Sequence, residues 1–277
     1  MILSLVYPEK SRIPYKINKF PDGQQDIVIG ECTKKKVIIE SRLRNWLDLE
    51  LIVASVAALR RLRVETIGLS LPYLLGARSD RAFVEGGNSY LVDVLAPVIN
   101  SLELDAIIVF DVHSDVAPAC IKNLTLMDNL ILVKFALENI EEDLKDLVVV
   151  SPDAGALKKI YNVMFNVGLS NLVVASKHRD IPTGKITHTE VPLSLIHYKK
   201  DFLIIDDICD GGRTFIEIAK KIKAEYPSAK IYLVVSHGIF SAGFEELSIY
   251  FERIFTTNSY SDINHPLVKQ FNVWTNT

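Results

Sequence analysis

The chain has 277 residues, 49% of them hydrophobic and 23% charged, which is long enough for a large core and makes two domains plausible. Lys and Arg number 31 against 34 Asp and Glu, giving a formal net charge of −3, so no global positive field favours nucleic acid as a partner. The chain shows neither a signal-peptide pattern nor an apolar run of membrane-spanning length. Cys32, Cys120 and Cys209 are widely spaced, which indicates reduced thiols. We therefore expect a cytoplasmic protein with no membrane or nucleic-acid partner.

Short apolar runs alternate with amphipathic segments through the first half of the chain. In order, the pattern predicts a strand at 37–40, a helix at 47–62, a strand at 66–71, a helix at 90–102 and a strand at 105–110. Short β-branched runs alternating with helices of this length are typical of a parallel sheet with helices on both faces.

The same cycle restarts in the second half of the chain. It predicts strands at 147–150, 172–175, 201–205 and 231–235, and helices at 156–167 and 214–224. We therefore predict an α/β protein with two related domains, residues 1–140 and 141–277. Ligands of such sheets collect beyond the carboxyl ends of the strands, so the polar motifs that follow the strands are the candidate site.

The most informative segment follows the predicted strand 201–205. Two carboxylates, a glycine-bearing turn and a helix N-terminus come in succession. The carboxylates can accept hydrogen bonds from vicinal ribose hydroxyls, while the turn amides and the helix dipole can hold a phosphate. A helix simply capped by Asp210 is the alternative, and the glycines in register with the helix start favour phosphate binding. The candidate residues for a phosphorylated ribose are Asp206, Asp207, Asp210, Gly211, Gly212, Arg213 and Thr214.

This segment resembles the phosphoribosyl pyrophosphate (PRPP) loop of type I phosphoribosyltransferases and of ribose-phosphate diphosphokinases, the PRPP synthetases. Motifs elsewhere favour the synthetases, because a phosphoribosyltransferase would share mainly the loop. The motifs occur in the synthetase order at residues 20–24 (FPDGQ), 72–81 (PYLLGARSDR), 110–114 (FDVHS), 151–156 (SPDAGA), 177–179 (KHR) and 236–241 (SHGIFS). The resemblance runs from about residue 20 to 260 and implies two type I phosphoribosyltransferase-like domains.

The resemblance also implies roles for individual residues. The loop 20–24 would pack on adenine from a neighbouring subunit, which implies a homo-oligomer, a dimer or a hexamer. His113 and Asp153 would lie at a Mg²⁺ site, where aspartate is a natural hard-cation ligand and imidazole is an unusual one. The implied ATP-binding residues are Phe20, Asp22, Gln24, Arg78, Asp80, Arg81 and His113.

The implied reaction moves the diphosphate of ATP to the anomeric hydroxyl of a 5-phosphorylated ribose, and AMP leaves. Such transfers depend on positioning and on neutralising oxygen charges, so cations from Mg²⁺ and from mobile side chains are needed. Lys177 and Arg179 are the implied catalytic residues. They begin a polar stretch, residues 180–189, that we expect to fold over the substrate as a lid.

Two departures from the PRPP loop bear on the acceptor. Gly211 and Arg213 stand where the loop usually has a threonine and a small residue. A missing side chain opens space beside the phosphate, and a guanidinium suits a further phosphate. We therefore favour ADP-ribose over ribose 5-phosphate, as in the phage diphosphokinases that rebuild NAD. Ordinary PRPP synthesis, with Arg213 pairing a nearby carboxylate or the 5-phosphate itself, is the alternative.

Two other classes of function stay open from the residues alone. A phosphoribosyltransferase would consume PRPP with a nucleobase and would need a hood over the base, which no segment suggests. A non-catalytic member that regulates a true synthetase would have lost Lys177 or Arg179, and both are present.

Overall fold

The computed structural model describes residues 1–141, 143–179, 186–193 and 201–276, with the side chains of 177–179, 186–189 and 275–276 left outside. The contacts between residues divide the chain into two units, Met1–Asp128 and Asn129–Asn276. Each unit has its own parallel sheet and its own buried apolar cluster. The two units are described separately.

The first unit is built on a parallel sheet, and its described strands are β1 (Ile2–Ser4), β4 (Lys36–Glu40), β5 (Thr66–Ser70), β6 (Ala106–Phe110) and β7 (Leu124–Met127), adjacent in that order. The remaining pair, β2 (Tyr15–Lys19) and β3 (Gln25–Ile29), forms an antiparallel hairpin. The helices are α1 (Trp46–Arg61), a π-helical turn (Tyr90–Leu95) that continues into α2 (Ala96–Ser101), and α3 (Val116–Cys120).

Helix α1 illustrates why these residues form these elements. The Asn45 side chain accepts hydrogen bonds from the backbone amides of Leu47 and Asp48, so it caps the first turn. The buried residues recur at helical spacing and pack on the sheet: they are Leu49, Ile52, Ser55, Val56 and Leu59. The helix predicted at 47–62 is confirmed, as are the strands predicted at 37–40, 66–71 and 105–110.

The second unit has a parallel sheet with more strands. Its elements in chain order are α4 (Leu130–Leu137), β8 (Leu147–Ser151), α5 (Leu157–Val167), β9 (Leu172–Val174), β10 (Ser176–Arg179), β11 (Ile186–Glu190), β12 (Asp201–Cys209), α6 (Arg213–Glu225), β13 (Ile231–Gly238), α7 (Leu247–Tyr250), β14 (Arg253–Thr257) and β15 (Val268–Phe271). The described strands of the sheet follow the order β15-β14-β13-β12-β8-β9. Strands β10 and β11 form a separate antiparallel pair. All residues of β8 and β13 are buried, as expected for strands covered on both faces.

The division between the units falls earlier in the chain than the predicted one. The sequence-based boundary at 140 assigns helix α4 to the first half, whereas the contacts end the first unit at Asp128. Helix α4 packs against α5, β13 and β14, and it buries Leu132, Val133 and Ala136. The helix therefore covers the second sheet. In the part of the chain that the structure describes, no helix combines the length and apolarity needed to cross a bilayer.

Candidate active site

Strand β12 carries two of the predicted carboxylates within the strand itself. The strand was predicted to end at residue 205, but it continues to Cys209 because its neighbour β13 offers pairing partners up to Gly238: Ile208 pairs with His237 and Cys209 with Gly238. Asp206 and Asp207 are therefore held by the sheet on an extended backbone. Their side chains are therefore attached at fixed backbone positions near the carboxyl end of the strand, where ligands of parallel sheets bind.

The two carboxylates are strongly coupled. Burial raises the pKa of Asp206 well above its ordinary value, and the charge of Asp207 and a hydrogen bond with that side chain raise it further. Asp206 keeps part of its surface accessible, but the protein atoms packed around it still desolvate the carboxylate. The Asp207 backbone N–H donates to Asp206 Oδ1 at 3.0 Å, which lowers the pKa and offsets only part of this rise. Asp206 therefore retains its proton more strongly than a solvated aspartate does.

Asp153 lies near this pair. Its negative charge also contributes to the raised pKa of Asp206. The side chain is fixed after β8, because Asp153 Oδ1 accepts hydrogen bonds from the amides of Gly155 at 3.0 Å and Ala156 at 3.2 Å. The structure thus brings together two regions that are about 50 residues apart in sequence, and both are rich in hard oxygen ligands.

The turn after β12 leads directly into helix α6. Gly212 precedes the helix with φ +78° and ψ −7°, the left-handed conformation that glycine adopts without strain. No side chain caps α6, and its first turn contains no acidic residue, so the first amides point to a position where an anion can bind. The alternative in which Asp210 caps the helix is wrong, because Asp210 bonds elsewhere.

A second segment holds the turn in place. Ser241 Oγ donates to Asp210 Oδ1 at 2.6 Å, and Ser241 N donates to the Asp210 carbonyl at 3.1 Å. The amides of Ile239 and Phe240 donate to the Cys209 carbonyl at 2.8 and 3.2 Å. The motif at 236–241 therefore braces the turn after β12, and Ser241 is a site residue that the sequence interpretation did not single out.

The two positions that depart from the PRPP loop have distinct environments. A Cβ added at Gly211 would meet only Ser241 Oγ at 3.8 Å and Ala242 Cβ at 3.9 Å, ordinary contacts, and the backbone there is not left-handed. Neither packing nor conformation demands glycine at this position. Arg213 is exposed, and among the described residues its side chain has no ion-pair partner.

Lys177 and Arg179 lie in β10, which pairs antiparallel with β11. In the register Lys177 pairs with Thr189 and Arg179 with Ile186. The predicted lid over 180–189 is in part this second strand, while residues 180–185 lie outside the described residues, as do the side chains of Lys177 and Arg179. Their catalytic role remains a prediction.

In the first unit a buried carboxylate organises two of the predicted ATP-site motifs. Asp80 is 5% exposed and accepts hydrogen bonds from Arg81 Nε at 2.9 Å and from Ser114 Oγ at 2.5 Å. The hydrogen bond from Arg81 lowers the pKa of Asp80 despite its burial, with further help from Ser114 and His113. The carboxylate thus joins the segment of Arg78 and Arg81 to the end of β6.

Phe20, Asp22 and Gln24 form the tip of the hairpin between β2 and β3. The turn is closed by Phe20 N to Gln24 O at 2.9 Å, by Gly23 N to Phe20 O at 2.9 Å and by Gln24 N to Asp22 Oδ1 at 3.1 Å. Phe20 is 48% exposed. The ring therefore stands on a well-defined turn and offers an open surface.

The donor set fits Mg²⁺ held in part by a substrate. Among the residues that the structure describes, no group of three or more His, Cys, Asp or Glu side chains is arranged to hold a metal ion. Mg²⁺ is commonly bound by one or two carboxylates together with substrate phosphates and water. Asp206 and Asp207 supply such oxygens, Asp153 lies near them, and a cation would relieve the repulsion between the two carboxylates of β12.

The chain has clear similarity to known proteins. Residues 123–260 match the model of the phosphoribosyl transferase domain family. The ribose-phosphate pyrophosphokinase of Mycoplasma genitalium is 30% identical over 268 residues, covering 92% of this chain and 77% of that protein. The ribose-phosphate pyrophosphokinase of Pyrococcus furiosus is 28% identical over 257 residues, covering 88% and 85%.

A solved structure, phosphoribosylpyrophosphate synthetase from Mycobacterium smegmatis, superimposes with a TM-score of 0.80 at 18% identity, covering 96% of this chain and 88% of that one. The fold is therefore that of two type I phosphoribosyltransferase-like domains, and the predicted fold class is confirmed. The chain belongs to the ribose-phosphate pyrophosphokinase family and is an enzyme of that type.

Proposed function

We propose that this enzyme transfers the β,γ-diphosphate of ATP to the anomeric hydroxyl of a 5-phosphorylated ribose. The hydroxyl oxygen forms a bond to the β-phosphorus, the bond to the oxygen of AMP breaks, and AMP leaves. The observation that carries the proposal is the arrangement after β12. Two coupled carboxylates on a strand are followed by a left-handed glycine and an uncapped helix N-terminus.

The acceptor half of the reaction belongs to the second unit. Asp206 and Asp207 accept hydrogen bonds from the two vicinal ribose hydroxyls, and the amides from Gly211 to Thr214 hold the 5-phosphate. Backbone amides at a helix start suit an anion because their partial charges add to the helix dipole. Ser241 maintains this geometry through its two hydrogen bonds to Asp210.

The donor half requires cations. Asp153 and the β12 carboxylates would hold Mg²⁺ together with substrate phosphates, and the ion would supply neutralisation of the phosphate charge. In the first unit Asp80 accepts two hydrogen bonds from Arg81. These bonds orient the guanidinium, which favours its binding to a phosphate. His113 lies close enough to stabilise the Asp80 carboxylate. Lys177 and Arg179 complete the proposal as the groups that stabilise charge during transfer.

Within this reaction we propose ADP-ribose as the preferred acceptor. Neither packing nor backbone conformation requires glycine at position 211. We infer that Gly211 serves instead to leave space beside the 5-phosphate. Arg213 is exposed and has no ion-pair partner among the described residues. This argues against the alternative in which it pairs with a neighbouring carboxylate. A guanidinium next to that space suits the second phosphate of a diphosphate.

The proposal also includes the setting and the assembly. Cys32, Cys120 and Cys209 are all free thiols, which supports a reducing, cytoplasmic environment. A homo-oligomer is proposed because the exposed Phe20 would complete the adenine site of a neighbouring subunit, as the family resemblance implies.

Product analysis tests the reaction class. The enzyme is mixed with ATP, Mg²⁺ and either ADP-ribose or ribose 5-phosphate, and products are separated by ion-exchange chromatography. We expect AMP and a sugar diphosphorylated at the anomeric position to form in equal amounts. Release of ADP or free phosphate, or no AMP with either acceptor, would overturn the proposal. A nucleobase and PRPP serve as the comparison for phosphoribosyl transfer.

The acceptor is tested by comparing kcat/KM for the two sugars. We expect ADP-ribose to be the better substrate, and Arg213→Ala to lower kcat/KM for ADP-ribose by roughly tenfold or more, the value of a charge-assisted hydrogen bond. The effect on ribose 5-phosphate should be smaller. Arg213→Lys is the matched control, since it retains the charge but not the planar donors. Equal losses for both acceptors, or a preference for ribose 5-phosphate, would show that the enzyme makes PRPP.

A further inference from the structure

A set of hydrogen bonds joins the hairpin that carries Phe20 to helix α1. Gln25, the first residue of β3, donates from its backbone N–H to Glu50 Oε1 at 3.2 Å. Its side-chain Nε2 donates to Glu50 Oε2 at 3.3 Å and to the Leu47 carbonyl at 3.0 Å. These three bonds from Gln25 to Leu47 and Glu50 are called here the hairpin clamp. No motif of the proposed reaction includes Gln25 or Glu50.

The hairpin clamp lies directly beside the turn. Gln25 pairs with Lys19 in the register of the hairpin, and this is the last pair before Phe20. Phe20 N donates at 2.9 Å to the carbonyl of Gln24, the residue that precedes Gln25. One hydrogen bond and one peptide unit therefore connect the backbone of Phe20 to the clamp, and a shift of Gln25 must move the turn.

Apolar packing holds only part of the hairpin. At the end far from the turn, Tyr15 Oη donates to the Ser4 carbonyl at 2.7 Å, and in the middle of β3 Ile27 is buried. Ile17 and Val28, by contrast, are exposed. A two-stranded hairpin is at best marginally stable by itself, so the position of the turn depends on a further attachment. The hairpin clamp provides that attachment.

Glu50 is well supported for this task. Asn45 caps the first turn of α1, and the nearby Leu49 and Ile52 are buried in the core of the first unit. The carboxylate of Glu50 is partly buried, and each of its oxygens accepts one hydrogen bond from Gln25. Hydrogen bonds to an ionised acceptor are stronger than neutral ones, so the clamp ties the turn to a rigid helix.

We propose that Glu50 is a positioning residue for ATP, because it holds the turn at 20–24 through Gln25 so that Phe20 presents its ring to adenine. The inference rests on the proposed stacking of adenine on this turn and deepens it. A turn that is already ordered spares the ligand the cost of ordering it. Loss of the hairpin clamp therefore weakens ATP binding and leaves the acceptor and the transfer step almost unchanged.

Glu50→Leu in the full-length protein tests the proposal, since it removes both acceptors and keeps a good helix former. Without ligands, amide hydrogen exchange of Phe20 and Gly23 should become faster, although their own acceptors in the turn are retained. In titrations with Mg²⁺ and no acceptor, the Kd for ATP should rise about fivefold, the value of one aromatic stack. The KM for ATP should rise equally, while kcat and the KM for the acceptor should change by less than about twofold. Glu50→Gln retains one acceptor oxygen and should recover part of the affinity.

The double variant Phe20→Ala/Glu50→Leu separates positioning from general destabilisation. Two independent fivefold losses would multiply to about 25-fold, whereas a clamp that acts through Phe20 adds little once the ring is gone. Asp48→Asn is the matched control, because this carboxylate lies on the same helix but accepts from Arg44 N at 2.8 Å and Arg44 Nε at 3.1 Å. It should leave both the exchange at 20–25 and the affinity for ATP unchanged.

Three results would each overturn the proposal: unchanged exchange at Phe20 and Gly23 in Glu50→Leu, unchanged affinity for ATP, or a full 25-fold product in the double variant. If Glu50→Leu does not fold, Gln25→Leu removes the two side-chain bonds of the clamp and should show the same pattern. Exchange and ATP titration need no turnover, so a failed product analysis would leave them interpretable. Normal release of AMP by Glu50→Leu with unaltered ATP affinity would refute the positioning role alone.

Discussion

Asp206 is the residue whose chemistry depends most on whether a ligand is bound. Without a ligand, burial and the neighbouring Asp207 raise its pKa well above that of a solvated carboxyl. Sugar hydroxyls donate hydrogen bonds to the ionised form, and a cation attracts it, so both would reverse that preference. Binding at β12 is therefore expected to release a proton, and the enthalpy of acceptor binding should depend on the ionisation enthalpy of the buffer.

The first prediction concerns the stability of Asp206→Asn. A carboxyl whose pKa is raised in the folded state stabilises the fold while it is protonated. Its contribution to the free energy of unfolding is therefore complete below the ordinary aspartate pKa of about 4, and it is lost as the pH rises through the folded-state pKa. Asparagine resembles the protonated form. We expect the variant and the unmodified protein to have equal Tm near pH 4. As the pH rises, the Tm of the variant should exceed that of the unmodified protein by about 2–4 °C for each kcal/mol of unfolding free energy that the unmodified protein loses.

The measurement is thermal unfolding from pH 4 to pH 9 in the absence of ligands and divalent cations. Glu225→Gln is the control, because Glu225 is exposed at the end of α6 and should leave the pH profile unchanged. Parallel profiles for the unmodified protein and Asp206→Asn would contradict the coupling of the two carboxylates.

The second prediction concerns Lys177 and Arg179. If these groups stabilise charge only during transfer, alanine at either position should lower kcat by about 10²–10³-fold and change the KM values little. Steady-state kinetics with both substrates varied provide the check, and Lys221→Ala on the exposed side of α6 is the charge-matched control. A variant with near-normal kcat would remove that residue from the catalytic set.

At the scale of elements, the turn between β12 and α6 depends on one left-handed residue. Gly212 has φ +78°, and an added Cβ would lie 3.1 Å from Leu247 Cδ2. We therefore expect Gly212→Ala to reduce the free energy of unfolding by about 1–2 kcal/mol, the cost of a left-handed non-glycine residue. Acceptor binding should weaken as well, because the amides that follow are displaced.

Gly211→Ala is the matched control for stability. An added Cβ there makes only ordinary contacts and the backbone is not left-handed, so the change in unfolding free energy should stay within about 0.5 kcal/mol. Urea unfolding of the three proteins measures both effects. If the two alanine variants lost equal stability, the conformational argument for Gly212 would be wrong.

The sequence could predict which segments are strands and helices here, but not how each of them ends. Strand β12 extends past the predicted residue 205 because β13 offers pairing partners up to Gly238, and strand length set by a distant neighbour leaves no local signal. The spacing of Asp210 suggests a helix cap, yet its carboxylate accepts a hydrogen bond from Ser241, 31 positions later in the chain. Ser114 was likewise missed, because its bond to Asp80 joins two motifs that look independent in sequence.

At the scale of the whole molecule, the two-domain α/β organisation was predictable because the strand and helix pattern occurs twice. The boundary was not. Helix α4 is apolar around much of its surface and follows the first sheet directly in sequence, and only its contacts with α5, β13 and β14 reveal which sheet it covers. The side chains of Lys177 and Arg179 lie outside the described residues, so their assignment still depends on the family resemblance.

A further prediction concerns assembly. Phe20 is half exposed at a closed hairpin turn, where it can stack on the adenine of ATP bound to another subunit. Such stacking is worth about 1 kcal/mol, so Phe20→Ala should weaken ATP binding about fivefold. Val28→Ala, on the same hairpin and 55% exposed, should not. Fluorescence titration and sedimentation check this together, and a fully active monomer would contradict it.

Both sheets are built from contiguous stretches of chain, and this has a consequence for synthesis. The described strands of the first sheet are complete at Met127, before any strand of the second has been made. The second sheet gains its edge strand β15 only at Val268–Phe271. Because domains commonly fold in the order in which they leave the ribosome, the first unit can form its core while the second is still being translated. A nascent chain stalled shortly after residue 128 has emerged should already resist protease across the first sheet.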